Sequence, residues 1–292
     1  ARPRRALPRR RLPAAGMSAP MPFVELPDAR VHYATSGGSG SPVLLVMGFG
    51  VPGHMWLNQI DAFSACHRVA WFDNAGAGQT TRQRSRPASI RDLARHAAAV
   101  IDALGWEQAH VVGVSMGGMI AQELALGWKE RVRSLALVAT HAGGLVDLTP
   151  SPQSLLLFGR AFLGPRAQRA RVLERLIFPD EYLATVDVAP LRQAMHDQVV
   201  AAAPARDRLR QIAAIMAHRT AHRLHELEGT PTLIVKAGRD RLIRPSAHHR
   251  LHRLIPGSRL VHFEDAGHAI LHQCAARLND VLLEHFAAVD RA

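Results

Sequence analysis

The sequence predicts an α/β fold: a mostly parallel sheet with helices on both faces, interrupted by a helical cap insertion. Three observations predict it. Short, continuously apolar runs such as residues 43–47 read as strands buried on both faces. Between such runs lie segments whose apolar residues recur at helical spacing, for example Ile90, Leu93, Ala94, Ala97, Val100, Ile101 and Leu104. Across residues 146–224 the strand pattern gives way to helical segments, and it resumes at Thr232. The expected division is a core formed by residues 17–145 and 225–292, a helical cap at 146–224, and a disordered Pro/Arg-rich tail at 1–16.

Taken in order, residues 30–35 read as an edge strand followed by a Gly/Ser turn. Strand 43–47 runs into Gly48-Phe49-Gly50-Val51-Pro52-Gly53, a loop able to bring backbone N–H groups near a ligand. Helix 56–65, strand 69–72 and a tight turn marked by Gly76 and Gly78 follow. Helix 90–104, with Gly105 suited to its C-cap, leads to strand 110–114 and a further helix. After strand 132–139, segments 155–163, 167–178, 191–203 and 209–218 read as amphipathic helices with breaks at Pro165, Pro179, Pro190 and Pro204. Strand 232–237, helix 246–254, strand 259–263 and a closing helix at 270–286 complete the pattern.

The 292 residues, 48% of them hydrophobic, suffice for one α/β domain with an insertion and a full core. A net charge of +12 raises the question of nucleic acid or anionic surfaces. Six arginines lie in residues 1–16, however, and the arginines elsewhere are scattered, often beside acids. No basic stripe with interleaved aromatics exists, so no nucleic-acid partner is expected. No apolar run is long enough for a transmembrane helix, so no membrane span is expected. Cys66 and Cys274 match neither a disulfide framework nor a zinc-site spacing; free thiols and a cytoplasmic setting fit. No apolar segment follows the tail arginines, which argues against a secretory signal, and Met17 offers an alternative start. Deleting residues 1–16 is expected to leave activity and melting temperature unchanged, as paired assays of the two chains would show.

The strongest local signal is Gly113-Val114-Ser115-Met116-Gly117, set between an apolar strand and a helical pattern. To expose a serine hydroxyl at the end of a buried strand, the chain must reverse within one residue, which strains the backbone at Ser115. Strand and helix then approach so closely that only small residues fit two positions to either side. The first helical turn directs N–H groups toward the serine, where they suit a developing negative charge. A Gly-rich turn with a serine N-cap shares part of this pattern. The nucleophile reading therefore needs a base, an acid and oxyanion donors from elsewhere. Gly48-Phe49, Ser115, Asp240 and His268 all fall just past strand ends, and such positions converge on one rim of a parallel sheet.

The stretches 43–50, 73–80, 113–118, 238–245 and 265–268 resemble the α/β-hydrolase superfamily, in its capped esterase and lactonase branch. The likeness runs from about residue 23 to the C-terminus and is weakest across the insertion. It implies that Ser115 is the nucleophile, His268 its general base and Asp240 the acid that orients the imidazole. It also implies that the backbone N–H groups of Phe49 and Met116 form the oxyanion hole. The chemistry agrees, since a serine hydroxyl needs a base poised near neutral pH. Of the other histidines near the site in sequence, His262 lies inside a strand, His272 lacks the Gly-His setting at a strand end, and His141 and His54 are placed to line the pocket. Asp265 and Glu264 lie too close to His268 in sequence to reach its ring easily. Trp56, His141, Phe158 and Phe162 are candidate pocket residues. Two positions depart from the family pattern: Met47 stands where histidine is common, and Ala75 where arginine is common. Each removes a polar brace from its loop and leaves the chemistry intact.

The resemblance implies a hydrolase of a small-molecule carboxylic ester or lactone, acting through an acyl-serine intermediate with no metal or organic cofactor. The same triad would also serve perhydrolysis, thioester hydrolysis, acyl transfer or C–C bond hydrolysis. A non-catalytic binding protein on the same fold is the alternative from another class.

Overall fold

In the computed structural model the described residues are 22–82, 89–144, 152–163, 165–197 and 204–292. The tail expected at residues 1–16 lies outside them. The first half of the chain runs β1 (Phe23–Leu26), β2 (Ala29–Ser36), β3 (Pro42–Val46), α1 (Leu57–Phe63), β4 (Arg68–Phe72), β5 (Thr81–Arg82), α2 (Ile90–Ala103), β6 (Ala109–Val114), α3 (Met116–Gly127) and β7 (Val132–Val138). The insertion contributes α4 (Pro152–Leu163), α5 (Arg166–Ile177), α6 (Asp180–Leu183), α7 (Val188–Met195) and α8 (Ala205–Ala217). The chain then returns through β8 (Thr232–Ala237), α9 (Pro245–Leu254), β9 (Arg259–Phe263), α10 (Ile270–Gln273) and α11 (Ala275–Asp290).

Among the described residues the strands lie in the order β1-β2-β4-β3-β6-β7-β8-β9, with the two-residue β5 paired to β2. Every pairing from β4 to β9 is parallel, while β2 pairs antiparallel with both β1 and β4. Strands β3 and β6 are buried along their whole length. The two-residue strand period explains how one run fills two cores. Leu44 and Val46 share a buried cluster with residues of α2, α3 and α9. Val43 and Leu45 share the opposite cluster with residues of α1, α10 and α11.

Several boundaries differ from the sequence reading, each for a local reason. Pro165, Pro179 and Pro204 stand at helix N-caps, as expected of breaks. Pro190, by contrast, lies in the first turn of α7, where its missing N–H costs no intrahelical bond. Part of the helix expected at 191–203 falls on 198–203, outside the described residues. The closing helix divides at Cys274, whose φ of −119° is not helical. Helix α2 begins with a capping box that the sequence reading missed: Ser89 Oγ accepts from Asp92 N, and Asp92 accepts from Ser89 N.

Among the described residues the insertion packs against the core through two apolar clusters. Ala161, Leu173, Leu176, Phe178 and Met195 form a separate buried cluster that extends to Ala269 and Leu242, in the loops after β9 and β8. Helix α8 instead joins the main core through Ala214 and Ile215, in the cluster that also holds Phe49. Among the described residues no helix is long and apolar enough to cross a membrane, and no group of three or more His, Cys, Asp or Glu is arranged to hold a metal ion.

Candidate active site

The turn from β6 into α3 places Ser115 at φ 55°, ψ −122°. A non-glycine residue in this region carries roughly 1–3 kcal/mol of strain, which surrounding bonds must hold. The Ser115 N–H donates to the Val138 carbonyl at 3.0 Å, and the Ser115 carbonyl accepts from Gly118 N at 2.9 Å and Thr140 Oγ1 at 2.7 Å. A Cβ at position 113 would strike the Gly117 carbonyl, and one at 117 would strike the Val46 carbonyl. Both glycines are thus steric requirements of the β3–β6–α3 crossing. The serine side chain makes no capping bond, so the N-cap alternative does not describe it.

The loop after β3 runs alongside this serine. A Cβ built on Gly48 would lie 3.3 Å from Ser115 Cβ and 3.9 Å from its Oγ. Phe49 is partly buried, with its ring 6.3 Å from that of Phe158 on α4. Met116 opens α3, where backbone N–H groups have no intrahelical acceptor.

Asp240 follows β8 and His268 follows β9. The His268 Nδ1–H donates to Asp240 Oδ2 at 2.7 Å. The other oxygen, Oδ1, accepts from the N–H groups of Leu242 at 2.7 Å and Ile243 at 2.9 Å. The Asp240 side chain is fully buried, and that of His268 nearly so. A carboxylate fixed by three donors holds the ring in one orientation and keeps the proton on Nδ1, which leaves Nε2 as the basic nitrogen. The competing acids are committed elsewhere: Asp265 pairs with Arg277 at 3.0 Å, and Glu264 with His262 at 3.3 Å, both at the surface.

The expected pocket residues divide. Phe158 lies beside Phe49. Phe162 lies on the same helix, but its side chain is outside the described residues. Trp56 is a correction: it is 0% exposed and belongs to the buried cluster with Ile60 and Phe63, so it has no surface to offer a ligand. His141 is also buried, and its Nδ1 accepts from Gly143 N at 2.9 Å. Burial, aided by the nearby charges of His248, Arg250 and His268, pushes its pKa down to about 4 and keeps it neutral.

Three bracing groups went unread in the sequence. Asn74 Nδ2 donates to the Met47 carbonyl at 2.7 Å. Gln211, on α8, accepts from Gly50 N at 2.8 Å and donates to the Ala75 carbonyl at 2.9 Å. Asp73 accepts from Gly53 N, Gln79 N and His32 Nδ1. Burial alone would raise the Asp73 carboxyl, but the His32 ring and the two N–H groups hold it below the ordinary aspartate range. Asn74 could have been flagged as a buried amide in the 73–80 turn, whereas Gln211 carries no signal in a helix otherwise rich in arginine and alanine.

Residues 41–273 match the model of the alpha/beta hydrolase fold family. A carbamate hydrolase candidate from Azorhizobium caulinodans, RutD, is 32% identical over 273 residues, covering 93% of this chain and 100% of the relative. A 2-hydroxy-6-oxononadienedioate/2-hydroxy-6-oxononatrienedioate hydrolase from Paraburkholderia phymatum is 30% identical over 88% of this chain and 91% of its own. Among solved structures, the enol-lactonase of Burkholderia xenovorans LB400 superposes with a TM-score of 0.80 at 21% identity, covering 91% of this chain and 100% of that one. The chain belongs to the α/β-hydrolase family.

Proposed function

We propose that the protein hydrolyses a small-molecule carboxylic ester or lactone through an acyl-serine intermediate. The reading is carried by one observation: a serine held at φ 55° beside the Gly48 loop, on the same strand-end rim as an imidazole whose Nδ1–H is fixed on a buried carboxylate. Ser115 Oγ attacks the carbonyl carbon while His268 Nε2 takes its proton. The oxygen that becomes negative is received by the Phe49 and Met116 N–H groups, each such donor contributing about 3 kcal/mol of barrier lowering. His268 returns the proton to the leaving alcohol, or to the ring-opened hydroxyl of a lactone. Water, deprotonated by the same nitrogen, then releases the acid and restores the serine. Asp240 orients the ring and stabilises the imidazolium between the two transfers.

The Paraburkholderia relative supports a second reading, C–C bond hydrolysis at the same residues, and the Azorhizobium relative supports a carbamate. One panel separates them: short p-nitrophenyl esters, lactones, thioesters, a carbamate and a 2-hydroxy-6-oxo dienoate, assayed with and without a fluorophosphonate probe. Turnover of esters or lactones, with the adduct on Ser115, is the expected result. Turnover confined to the carbamate or the dienoate would replace the ester reading. A well-folded protein that neither turns over any substrate nor takes the probe would be the non-catalytic binding protein.

A further inference from the structure

We infer that Gln211, on helix α8 of the insertion, is a positioning residue for the loop that carries the Phe49 N–H, so that the insertion helps to set the oxyanion site. The inference rests on the proposed reading of Ser115 and Phe49. Its basis is the way one amide spans two loops. Gln211 Oε1 accepts from Gly50 N at 2.8 Å, and Gln211 Nε2 donates to the Ala75 carbonyl at 2.9 Å. Gln211 is 3% exposed and Gly50 and Ala75 are buried, so neither partner has water as a ready substitute. An acceptor is required on one side and a donor on the other, and a primary amide of this length supplies both; its orientation is fixed by the two partners.

The surroundings make this contact a lever on the loop. Helix α8 packs directly on the 73–80 turn: a Cβ on Gly76 would come within 2.8 Å of Asp207 Cβ, one helical turn before Gln211. Phe49 and the neighbouring Ala214 and Ile215 of α8 belong to one apolar cluster. Gly50 itself sits at φ +67°, a state glycine adopts without steric cost, so the loop can turn its N–H toward Gln211. Met47 and Ala75, the two positions where the family pattern commonly has histidine and arginine, are also the two whose carbonyls accept from Asn74 and Gln211. Backbone carbonyls thus do the bracing there, with one of the donors supplied by the insertion. Gly50 N–H is engaged by Gln211 and not by substrate, and the preceding peptide, with Phe49 N–H, is held in register by that engagement.

The test uses the full chain, a p-nitrophenyl ester, and a fluorophosphonate whose adduct is located by mass spectrometry. Gln211→Met keeps the length and apolar contact but neither hydrogen bond. It is expected to lower kcat about 10- to 100-fold and the labelling rate by a similar factor, with KM within about threefold. A purely structural role would lower the melting temperature and leave kcat of the folded fraction alone. Wild-type kcat and labelling rate in folded Gln211→Met, or a loss confined to KM, would therefore overturn the inference. Should that variant not fold, Gln211→Glu decides. It keeps the acceptor for Gly50 but opposes the Ala75 carbonyl, and should lose about tenfold in kcat with KM little changed; wild-type kcat there would overturn the inference equally. Failure of the underlying reading shows in the wild-type protein, as the absence of any adduct on Ser115. Failure of this inference alone leaves the wild type labelled and the variants just as fast.

Discussion

Replacing Ser115 with alanine is expected to reduce kcat for ester hydrolysis by about 10⁴- to 10⁶-fold while leaving KM and the melting temperature nearly unchanged. The reasoning has two parts. In the proposed mechanism the hydroxyl carries the covalent step, so its removal would eliminate acyl-enzyme formation; what would survive is catalysis by binding and by the oxyanion donors, typically about 10³-fold over water. The fold should not notice, because the strained backbone at φ 55° is held by bonds of the Ser115 main chain to the Val138 carbonyl, Gly118 N–H and Thr140 Oγ1, and the hydroxyl makes no capping bond. His268→Ala should cost a comparable amount, and the double variant no more than the worse of the two, since residues acting as one unit are not additive. Steady-state kinetics with p-nitrophenyl acetate and a thermal melt decide the matter. A Ser115→Ala protein that keeps a tenth of wild-type turnover would end the acyl-serine mechanism.

How much of this site could be read from the sequence depends on the range of the forces that build it. The elbow is local: the crowding that requires glycine at 113 and 117 comes from the reversal of the chain at Ser115 and from β3 beside it. Strands such as β3 and β6 were legible because burial on both faces leaves a continuous apolar run. The Asp240–His268 pair was legible by position, each lying one turn past a strand end. Trp56 was misread because an aromatic residue near a glycine loop carries the same signal whether it faces a ligand or a core; only the fold shows it packed inward with Ile60 and Phe63. Gln211 was illegible for a different reason. Its partners Gly50 and Ala75 lie 161 and 136 residues away, and nothing in the composition of α8 marks one polar residue as the one that faces the core. Strands β1 and β5, of four and two residues, gave too short a pattern to register.

Acid should unfold this protein well above the range in which carboxylates protonate. Among the histidines that burial pushes down, His110, His141, His248 and His285 lie at about 4 and His218 at about 3, with burial the largest cause in each case. In the unfolded chain each returns to about 6.5. Above that value both states are neutral and the histidines do not affect stability. As pH falls from about 6.5 toward 4 the unfolded state binds protons that the folded state refuses, so stability falls, and it levels off only below the folded values. Each group removes about 1.4 kcal/mol per pH unit in that window, against a typical total of about 5–15 kcal/mol. Two or three acting together would account for most of it. Lowered aspartates such as Asp73 and Asp290 act in a second window: their stabilisation is present above about 3.8 and is lost only as pH falls further. Urea unfolding at a series of pH values should therefore show uptake of at least about two protons on unfolding near pH 5.5. His218→Gln, which keeps a polar group beside Thr220, should lower that uptake by about one. An unfolding free energy that stays flat between pH 7 and 5 would mean that these imidazoles are not held neutral by the fold.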